Sequence, residues 1–247
     1  PAHSRAAITA VAEALHLGMP GIAGLHLEGP HLSLARKGAH DGSLIRPLSD
    51  ADMAMLTDAV ARIPNLMMTL APENATPDQI AALTQAGVLV SLGHSDCDYD
   101  TAMRAFDAGA RMATHLFNAM SQANARSPGL VGAALDHPRG AVEVFLVTDA
   151  MATGGSDITS FTLNDREILR RDGRLTLADG TLAGADLTLL QAVRYMHNTV
   201  GEPLERALAR ATVIPAQLLA HPPEADSVDA MIWINDDLSE LHWLTEL

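Results

Sequence analysis

The feature that most constrains the fold is a strand–helix–strand pattern in the first half of the chain. The largely apolar runs Val88–Leu92 and Arg111–Thr114 are strand-like, and a helix-like segment, Tyr99–Ala108, lies between them. Each run leads into a histidine, His94 after the first and His115 after the second. Parallel strands joined through helices form their sites at the C-terminal ends of the strands. The pattern therefore predicts that both imidazoles point into one pocket.

The same alternation extends along the chain. Other strand-like runs are 22–27, 65–70 and 142–147, and other helix-like segments are 4–17, 49–62 and 76–87. Repeats of this kind predict a parallel sheet or a (β/α) barrel.

The second half of the chain departs from this alternation. In residues 161–183, Asp-Gly pairs at 172–173 and 179–180 separate alternating runs, which predicts small antiparallel hairpins. Helices are predicted at 186–200, 203–211 and 215–220, and strands at 230–234 and 240–244. At 247 residues the chain suits one large α/β domain, with two small domains as the alternative.

Composition excludes several classes of partner. The net charge of −14 repels phosphate backbones, so we expect no nucleic-acid partner. We expect no membrane partner either, because no apolar run approaches the ~18 residues of a membrane span. The single cysteine, Cys97, excludes an internal disulfide and indicates a reducing, cytoplasmic setting.

Four polar residues follow apolar runs at predicted strand ends, namely Glu28, His94, His115 and Asp149. One carboxylate and two imidazoles can hold Zn²⁺ or a similar ion and leave a fourth position for water. An aspartate near that water can act as its base. Taken singly, each of these residues more often has a packed or solvated role. The four together, all at strand ends, make a metal site and such structural roles equal alternatives on spacing alone. Glu73, at another strand end, is a further candidate for a second metal site.

Six motifs in order resemble one family. They are GLHLEGPHLSLARKGAHD (24–41), LAPE (70–73), GHS (93–95), THLFNAM (114–120), VTDAMATGG (147–155) and GTLAGADLTL (180–189). Together they resemble the N-acetylglucosamine-6-phosphate deacetylases, metal-dependent (β/α)₈ barrels of the amidohydrolase superfamily. The resemblance implies an α/β, TIM-like barrel over 1–220, incomplete here, followed by remnants of a small β-sandwich over 221–247.

The resemblance also assigns roles to residues. It implies that Glu28, His94 and His115 bind one divalent ion, with zinc first and iron, cobalt or manganese as alternatives. It implies that Asp149 transfers the proton. The implied substrate contacts are Ala39, His40, Asn118, Ala119, Arg126, Leu182, Ala183 and Gly184. The implied partners are a phosphosugar substrate and a second copy of the chain in a homodimer.

The chain departs from the family pattern at defined places. The resemblance leads us to expect an N-terminal segment before Pro1 and an Ala-Asp-Gly-x-His stretch before the Thr-Asp-Ala motif, and neither is in this sequence. Two explanations are open: residues are omitted near Gly140–Val142 and 221–228, or the chain truly lacks them. We expect omission, with interruptions at these two places, because a barrel without an internal strand would expose sheet edges. Two rival readings follow: another amidohydrolase acting on a different N-acyl sugar or a cyclic amide, or a degenerate barrel with a binding role.

Overall fold

The computed structural model describes residues 2–138, 144–220, 222 and 231–246. The chain divides into two compact units, Pro1–Val142 and Glu143–Leu247. The expected interruptions near 140–142 and 221–228 fall outside the described residues, apart from residue 222. The predicted boundary between 1–220 and 221–247 therefore stays a prediction. No helix in the described part of the chain has the length and apolar character needed to cross a membrane.

The first unit is built on a parallel sheet in the order β1-β2-β3-β4. The strands are β1 (Leu25–Glu28), β2 (Leu66–Leu70), β3 (Leu89–Leu92) and β4 (Met112–Ala113). The helices are α1 (Ala2–His16), α2 (Asp50–Val60), α3 (Pro77–Gln85), α4 (Tyr99–Asp107) and α5 (Gly129–Asp136). Helices alternate with strands in sequence, which confirms an α/β fold with a parallel sheet.

Local sequence explains where these helices begin. Thr76 and Gln79 form a reciprocal capping box before α3, with Pro77 in the first turn, where its missing N–H is not needed. Ile80 and Leu83 lie on the inner face of α3 and are fully buried in the core of the unit. Burying each such side chain stabilises the fold by about 1.5–3 kcal/mol, so the helix is held mainly by packing.

Register brings the C-terminal ends of the strands to one edge of the sheet. Glu28 pairs with Thr69 across β1 and β2, and Leu70 pairs with Leu92 across β2 and β3. His94 therefore follows its strand by two residues at the same edge where Glu28 ends β1. This edge is where the sequence predicted a site.

Two elements differ from the sequence prediction. Helix α5 was not predicted, because its sequence, GLVGAALD, is apolar up to its last residue and its N-cap, Pro128, makes no side-chain capping bond. The strand predicted at 142–147 is wrong for its described residues, 144–147, which are not in a strand. A β-branched run forms a strand only beside a partner strand, and here the Leu146 N–H donates to the carbonyl of Arg210 instead.

The second unit carries an antiparallel sheet in the order β5-β6-β7-β8. Its strands are β5 (Ser160–Leu163), β6 (Arg166–Arg171), β7 (Arg174–Thr176) and β8 (Leu182–Ala185). Asp172 and Gly173 both have positive φ, as a two-residue hairpin turn requires. The predicted hairpins are confirmed. Helices α6 (Leu189–Tyr195), α7 (Leu204–Ala211) and α8 (Val213–Ala216) follow, and then an antiparallel pair, β9 (Ile232–Ile234) and β10 (Leu241–Trp243).

An ion pair between the buried Asp52 and the partly exposed Arg46, at the start of α2, gives a stability prediction. Asp52 is 3% exposed, binds both terminal nitrogens of Arg46 and accepts hydrogen bonds from Ser49. Asp52→Asn should lower the free energy of unfolding by about 2 kcal/mol, because it leaves a guanidinium poorly paired. Denaturant unfolding measures the change. Asp58→Asn on the exposed face of α2 is the control, expected within about 0.5 kcal/mol of the parent.

The Arg46–Asp52 ion pair also predicts how the stability difference between the parent and Asp52→Asn depends on pH. The Arg46 guanidinium holds the pKa of the Asp52 carboxyl below its ordinary value, against the opposing effect of burial. A group with a lowered folded-state pKa stabilises the protein fully above its unfolded pKa of about 4, and less as the pH falls further. The gap between parent and Asp52→Asn should therefore narrow below about pH 4. A gap that is constant from pH 7 to pH 3 would contradict this assignment.

Candidate functional site

Three predicted metal ligands meet at the C-terminal edge of the parallel sheet. The Nε2 atoms of His94 and His115 are 3.0 Å apart. The Oε1 atom of Glu28 lies 3.5 Å from Nε2 of His94 and 3.4 Å from Nε2 of His115. The structure therefore brings together side chains that are 21 and 66 residues apart in sequence.

These spacings suit a tetrahedral ion. Ligand atoms about 2.0–2.1 Å from zinc in a tetrahedral site are about 3.3 Å from one another. The three observed separations, 3.0, 3.4 and 3.5 Å, bracket that value. In addition, Oε1 of Glu28 is buried and has no hydrogen-bond partner among the described residues. A buried carboxylate oxygen without a donor is costly, and a cation beside it would remove that cost.

His94 is held in the tautomer that a metal ligand needs. Its Nδ1 atom is 2.7 Å from the backbone carbonyl oxygen of Arg36. Because a carbonyl only accepts, Nδ1 must carry the proton, and the lone pair of the neutral ring is then on Nε2. Such a hydrogen bond on the far nitrogen is the usual way in which proteins orient a ligating imidazole.

The backbone at the two histidines is unusual. His94 and His115 have φ values of 47° and 40°, in the left-handed region that non-glycine residues seldom occupy. Each residue follows the end of its strand by two positions, at the C-terminal edge of the sheet. Residues in such conformations cluster at functional sites, where the surrounding structure holds them in place.

The surroundings favour an ionised carboxylate at Glu28 and a neutral imidazole at His94. Burial alone would raise the pKa of Glu28, but the neighbouring imidazoles of His115, His40 and His94 bring it below its ordinary value. Burial lowers the pKa of His94, although the Arg36 carbonyl and Glu28 partly oppose that effect. An ionised carboxylate and an unprotonated imidazole are the forms that bind a metal ion.

His40 comes closer to the cluster than the sequence predicted. Its Nε2 atom is 3.4 Å from Oε2 of Glu28, and its ring lies edge-on to that of His94 with centroids 4.7 Å apart. Ligand atoms of Glu28, His40 and His94 all lie within 4.8 Å of one another. The family resemblance implied a substrate contact for His40, and its approach to the cluster depends on a long loop whose course no periodic pattern reveals.

Other predicted substrate residues of the first unit lie on nearby loops. Ala39 precedes His40, and Asn118 is in the turn after His115, where its N–H donates to the His115 carbonyl. The carbonyl of Ala119 accepts from the N–H of Ser95, next to His94. Arg126 is exposed on the loop before α5. Their substrate roles stay predictions.

Asp149 and the predicted contacts on β8 lie side by side in the second unit. The carbonyl of Asp149 accepts from the N–H of Ala185 at 3.1 Å, and Asp149 has a φ of 48°. Leu182, Ala183 and Gly184 form the rest of β8. Gly184 has a φ of 79°, and a Cβ there would lie 2.7 Å from Met151, so only glycine fits. The catalytic role of Asp149 stays a prediction.

Glu73, a candidate for a second metal site, accepts hydrogen bonds from the protein with both of its carboxylate oxygens. One carboxylate oxygen accepts from the hydroxyl of Ser95 at 2.7 Å, and the other accepts from the N–H of Asp96 at 2.6 Å. The nearby thiol of Cys97 is buried, which raises its pKa to about 12. It is therefore protonated at neutral pH and unsuited to nucleophilic chemistry.

Comparisons with known proteins identify curated relatives of the whole chain. N-acetylgalactosamine-6-phosphate deacetylase of Shewanella sp. (strain ANA-3) is 37% identical over 263 residues, covering 94% of this chain and 66% of the relative. N-acetylglucosamine-6-phosphate deacetylase of Vibrio furnissii is 33% identical over 274 residues, covering 97% of this chain and 68% of the relative. No protein-family model matches the chain.

Solved structures give the same result. The crystal structure of N-acetylglucosamine-6-phosphate deacetylase from Pasteurella multocida matches with a TM-score of 0.86 at 32% identity, covering 95% of this chain and 69% of that one. The chain spans about two thirds of the length of these two curated relatives. Both alignments are longer than its 247 residues, so the relatives contain segments without a counterpart here. Sequence and structure together show that the chain belongs to the N-acetylglucosamine-6-phosphate deacetylase family.

Proposed function

We propose that this chain catalyses the metal-dependent hydrolysis of N-acetylglucosamine 6-phosphate to glucosamine 6-phosphate and acetate. Such a reaction serves amino-sugar catabolism and cell-wall recycling. One observation carries the proposal: Glu28, His94 and His115 place three ligand atoms 3.0–3.5 Å apart at the C-terminal edge of the parallel sheet. Two relatives are named for deacetylation of a phosphorylated N-acetyl sugar, which supports it.

The proposed cofactor is one divalent ion, zinc in the first place, held by Glu28, His94 and His115. Two nitrogens and one carboxylate oxygen form a donor set of the kind found in catalytic zinc sites, with a fourth position left open. When bound, the ion supplies a positive charge that lowers the pKa of water and polarises the acetyl oxygen. Iron, cobalt and manganese remain alternatives, since nitrogen and oxygen donors suit them as well.

The protein residues have separate proposed roles in the reaction. Asp149 accepts a proton from the attacking water and delivers it to the sugar nitrogen as the C–N bond breaks. The products are then acetate and a free amine, and the carboxylate returns to its starting state. Ala39, Asn118, Ala119 and the residues Leu182–Gly184 are proposed to contact the sugar.

Arg126 is the proposed partner of the 6-phosphate, and His40, which lies 3.4 Å from Glu28, is proposed to contact the same substrate. A guanidinium binds a phosphate through two parallel N–H···O bonds. On a chain with a net charge of −14, such a local cationic group is needed to attract an anionic substrate. The exposure of Arg126 on its loop leaves it accessible to a ligand.

The proposed architecture completes this assignment. We propose that β1–β4 are consecutive strands of a (β/α)₈ barrel that is incomplete here, and that β9 and β10 belong to a small β-sandwich. The similarity to the Pasteurella multocida structure supports the barrel. A homodimer in the cytoplasm is the proposed setting, and the single cysteine fits a reducing compartment.

Two alternative functions compete with this proposal. The relative from Shewanella is named for the galactosamine epimer, so N-acetylgalactosamine 6-phosphate is a second candidate substrate. A degenerate barrel with a binding role is the other, since the Ala-Asp-Gly-x-His stretch of the family is missing. The test measures acetate release by the zinc-loaded protein from both phosphorylated sugars and from unphosphorylated N-acetylglucosamine. It distinguishes the proposed function from these two rivals. Zinc binding without acetate release would favour the degenerate barrel.

Arg126→Ala tests the phosphate contact. Loss of a charge-assisted pair of hydrogen bonds should lower kcat/KM for N-acetylglucosamine 6-phosphate by about 10–100-fold, mainly through KM. The rate on the unphosphorylated sugar should not change, because that substrate has no group for Arg126 to bind. Steady-state acetate release from both sugars measures the difference.

Arg111→Ala provides the matched control for this variant. Arg111 is exposed and lies just before β4, at the N-terminal edge of the sheet and away from the histidine cluster. Its loss should leave both substrates unaffected. An equal fall on both sugars in Arg126→Ala would remove the phosphate role and leave only a structural one.

A further inference from the structure

The loop after β1 holds His94 from two directions. The N–H of Ser33 donates to the His94 carbonyl at 2.7 Å, and the carbonyl of Arg36 accepts from Nδ1 of the same residue at 2.7 Å. Gly38 lies against the ring edge, where an added Cβ would be 3.3 Å from Cε1 of His94. The orientation of the His94 ring therefore depends on where this loop lies.

A side-chain ion pair fixes that loop at Arg36. Nε of Arg36 donates to Oδ1 of Asp96 at 2.7 Å, and both side chains are roughly two-fifths exposed. Asp96 follows His94 by two residues, so the pair joins the loop after β1 to the loop after β3. Arg36 thus contacts His94 through its carbonyl, and the loop that carries His94 through its guanidinium.

Glu73 anchors the other side of this pair. Its carboxylate accepts from the N–H of Asp96 and from the hydroxyl of Ser95, so both oxygens are committed to the loop that carries His94. Since Glu73 follows β2, the loops after three successive strands are tied at one point. We call Arg36, Asp96 and Glu73 the loop clamp.

We propose that the loop clamp consists of positioning residues that set the metal affinity of the site by fixing the direction of the His94 lone pair. This inference rests on the proposed metal-binding function. An exposed ion pair contributes little to folding stability. Groups that orient a metal ligand, in contrast, typically change metal affinity 10–100-fold when they are removed. Large loss of affinity with little loss of stability is the signature that separates positioning from a surface contact.

The test compares zinc affinity in the parent, Arg36→Ala, Asp96→Ala and the double variant, by competition with a chromophoric chelator. Each single variant should weaken zinc binding by about 10–100-fold. The double variant should be no weaker than the worse single variant, because both changes break the same contact. The visible spectrum of the cobalt-loaded protein should change in the variants, since it reports ligand geometry directly. The melting temperature of the metal-free protein should move by no more than about 4 °C.

Asp107→Ala is the matched control, because Asp107 is an exposed carboxylate of the same unit that pairs with His137 instead. It should leave zinc affinity and the cobalt spectrum at parental values. Parental zinc affinity in Asp96→Ala overturns the clamp and leaves the proposed function intact. A fall of more than about 4 °C in the melting temperature of the metal-free variants also overturns the clamp, because the contact is then structural. A parent chain that binds no zinc overturns the proposed function and the clamp together.

Discussion

His115→Ala is expected to release the metal ion and to lower turnover by at least about 10³-fold. The imidazole of His115 lies 3.0 Å from that of His94 and 3.4 Å from Glu28, so its removal takes away one of three converging donors. The charge that a metal ion supplies is worth several kcal/mol in the transition state, which corresponds to about 10³ in rate. Metal content of the purified variant and its rate of acetate release measure both effects.

His40→Ala is the control that decides between two ligand sets. His40 also lies within ligand distance of Glu28 and His94, but the family resemblance assigns it to substrate. We therefore expect His40→Ala to retain the metal and to show a raised KM. If His40→Ala loses the metal while His115→Ala keeps it, the ligands are Glu28, His40 and His94, and the assignment of His115 is wrong. Circular dichroism of both variants shows whether the fold is unchanged.

Asp149→Asn should reduce kcat by about 10²–10⁴-fold while the metal stays bound. An amide cannot accept the proton of the attacking water, and loss of a general base has effects of this size. Asparagine suits the position otherwise, because it has nearly the same shape and tolerates the positive φ that Asp149 adopts. The change therefore removes the proton-transfer chemistry and preserves the backbone. Single-turnover acetate release and zinc stoichiometry, measured on one preparation, separate the two roles.

Asp157→Asn is the matched control, an exposed aspartate of the same unit. It should have parental kcat and zinc content. Near-parental turnover in Asp149→Asn would remove Asp149 from the mechanism. Zinc loss in that variant would instead indicate that Asp149 holds the ion.

Sequence alone predicted the elements whose patterns are local. Strands β2 and β3 are short apolar runs bounded by turns, and α2 and α3 start at capping boxes that are visible in the sequence. The meeting of Glu28 with His94 followed from one rule, because C-terminal ends of parallel strands share an edge.

What the sequence did not predict depends on tertiary contacts. Helix α5 has no side-chain capping bond and is apolar up to its last residue, so only its packing against the core identifies it. Residues 144–147 form no strand, since strand formation needs a neighbour that the local sequence does not specify. The position of His40 depends on the path of a loop, and so do the hydrogen bonds that Ser95 and Asp96 donate to Glu73. No periodic signal in the sequence reveals such paths.

The left-handed backbone at His94, His115 and Asp149 has a consequence for engineering. Such a backbone conformation costs a non-glycine residue about 1–3 kcal/mol, part of which glycine at the same position would relieve. Random mutagenesis selected purely for heat tolerance would therefore favour glycine at these three positions and remove the side chains on which the proposed reaction depends. Stabilising substitutions in this chain should be sought at other positions, with these three residues left unchanged.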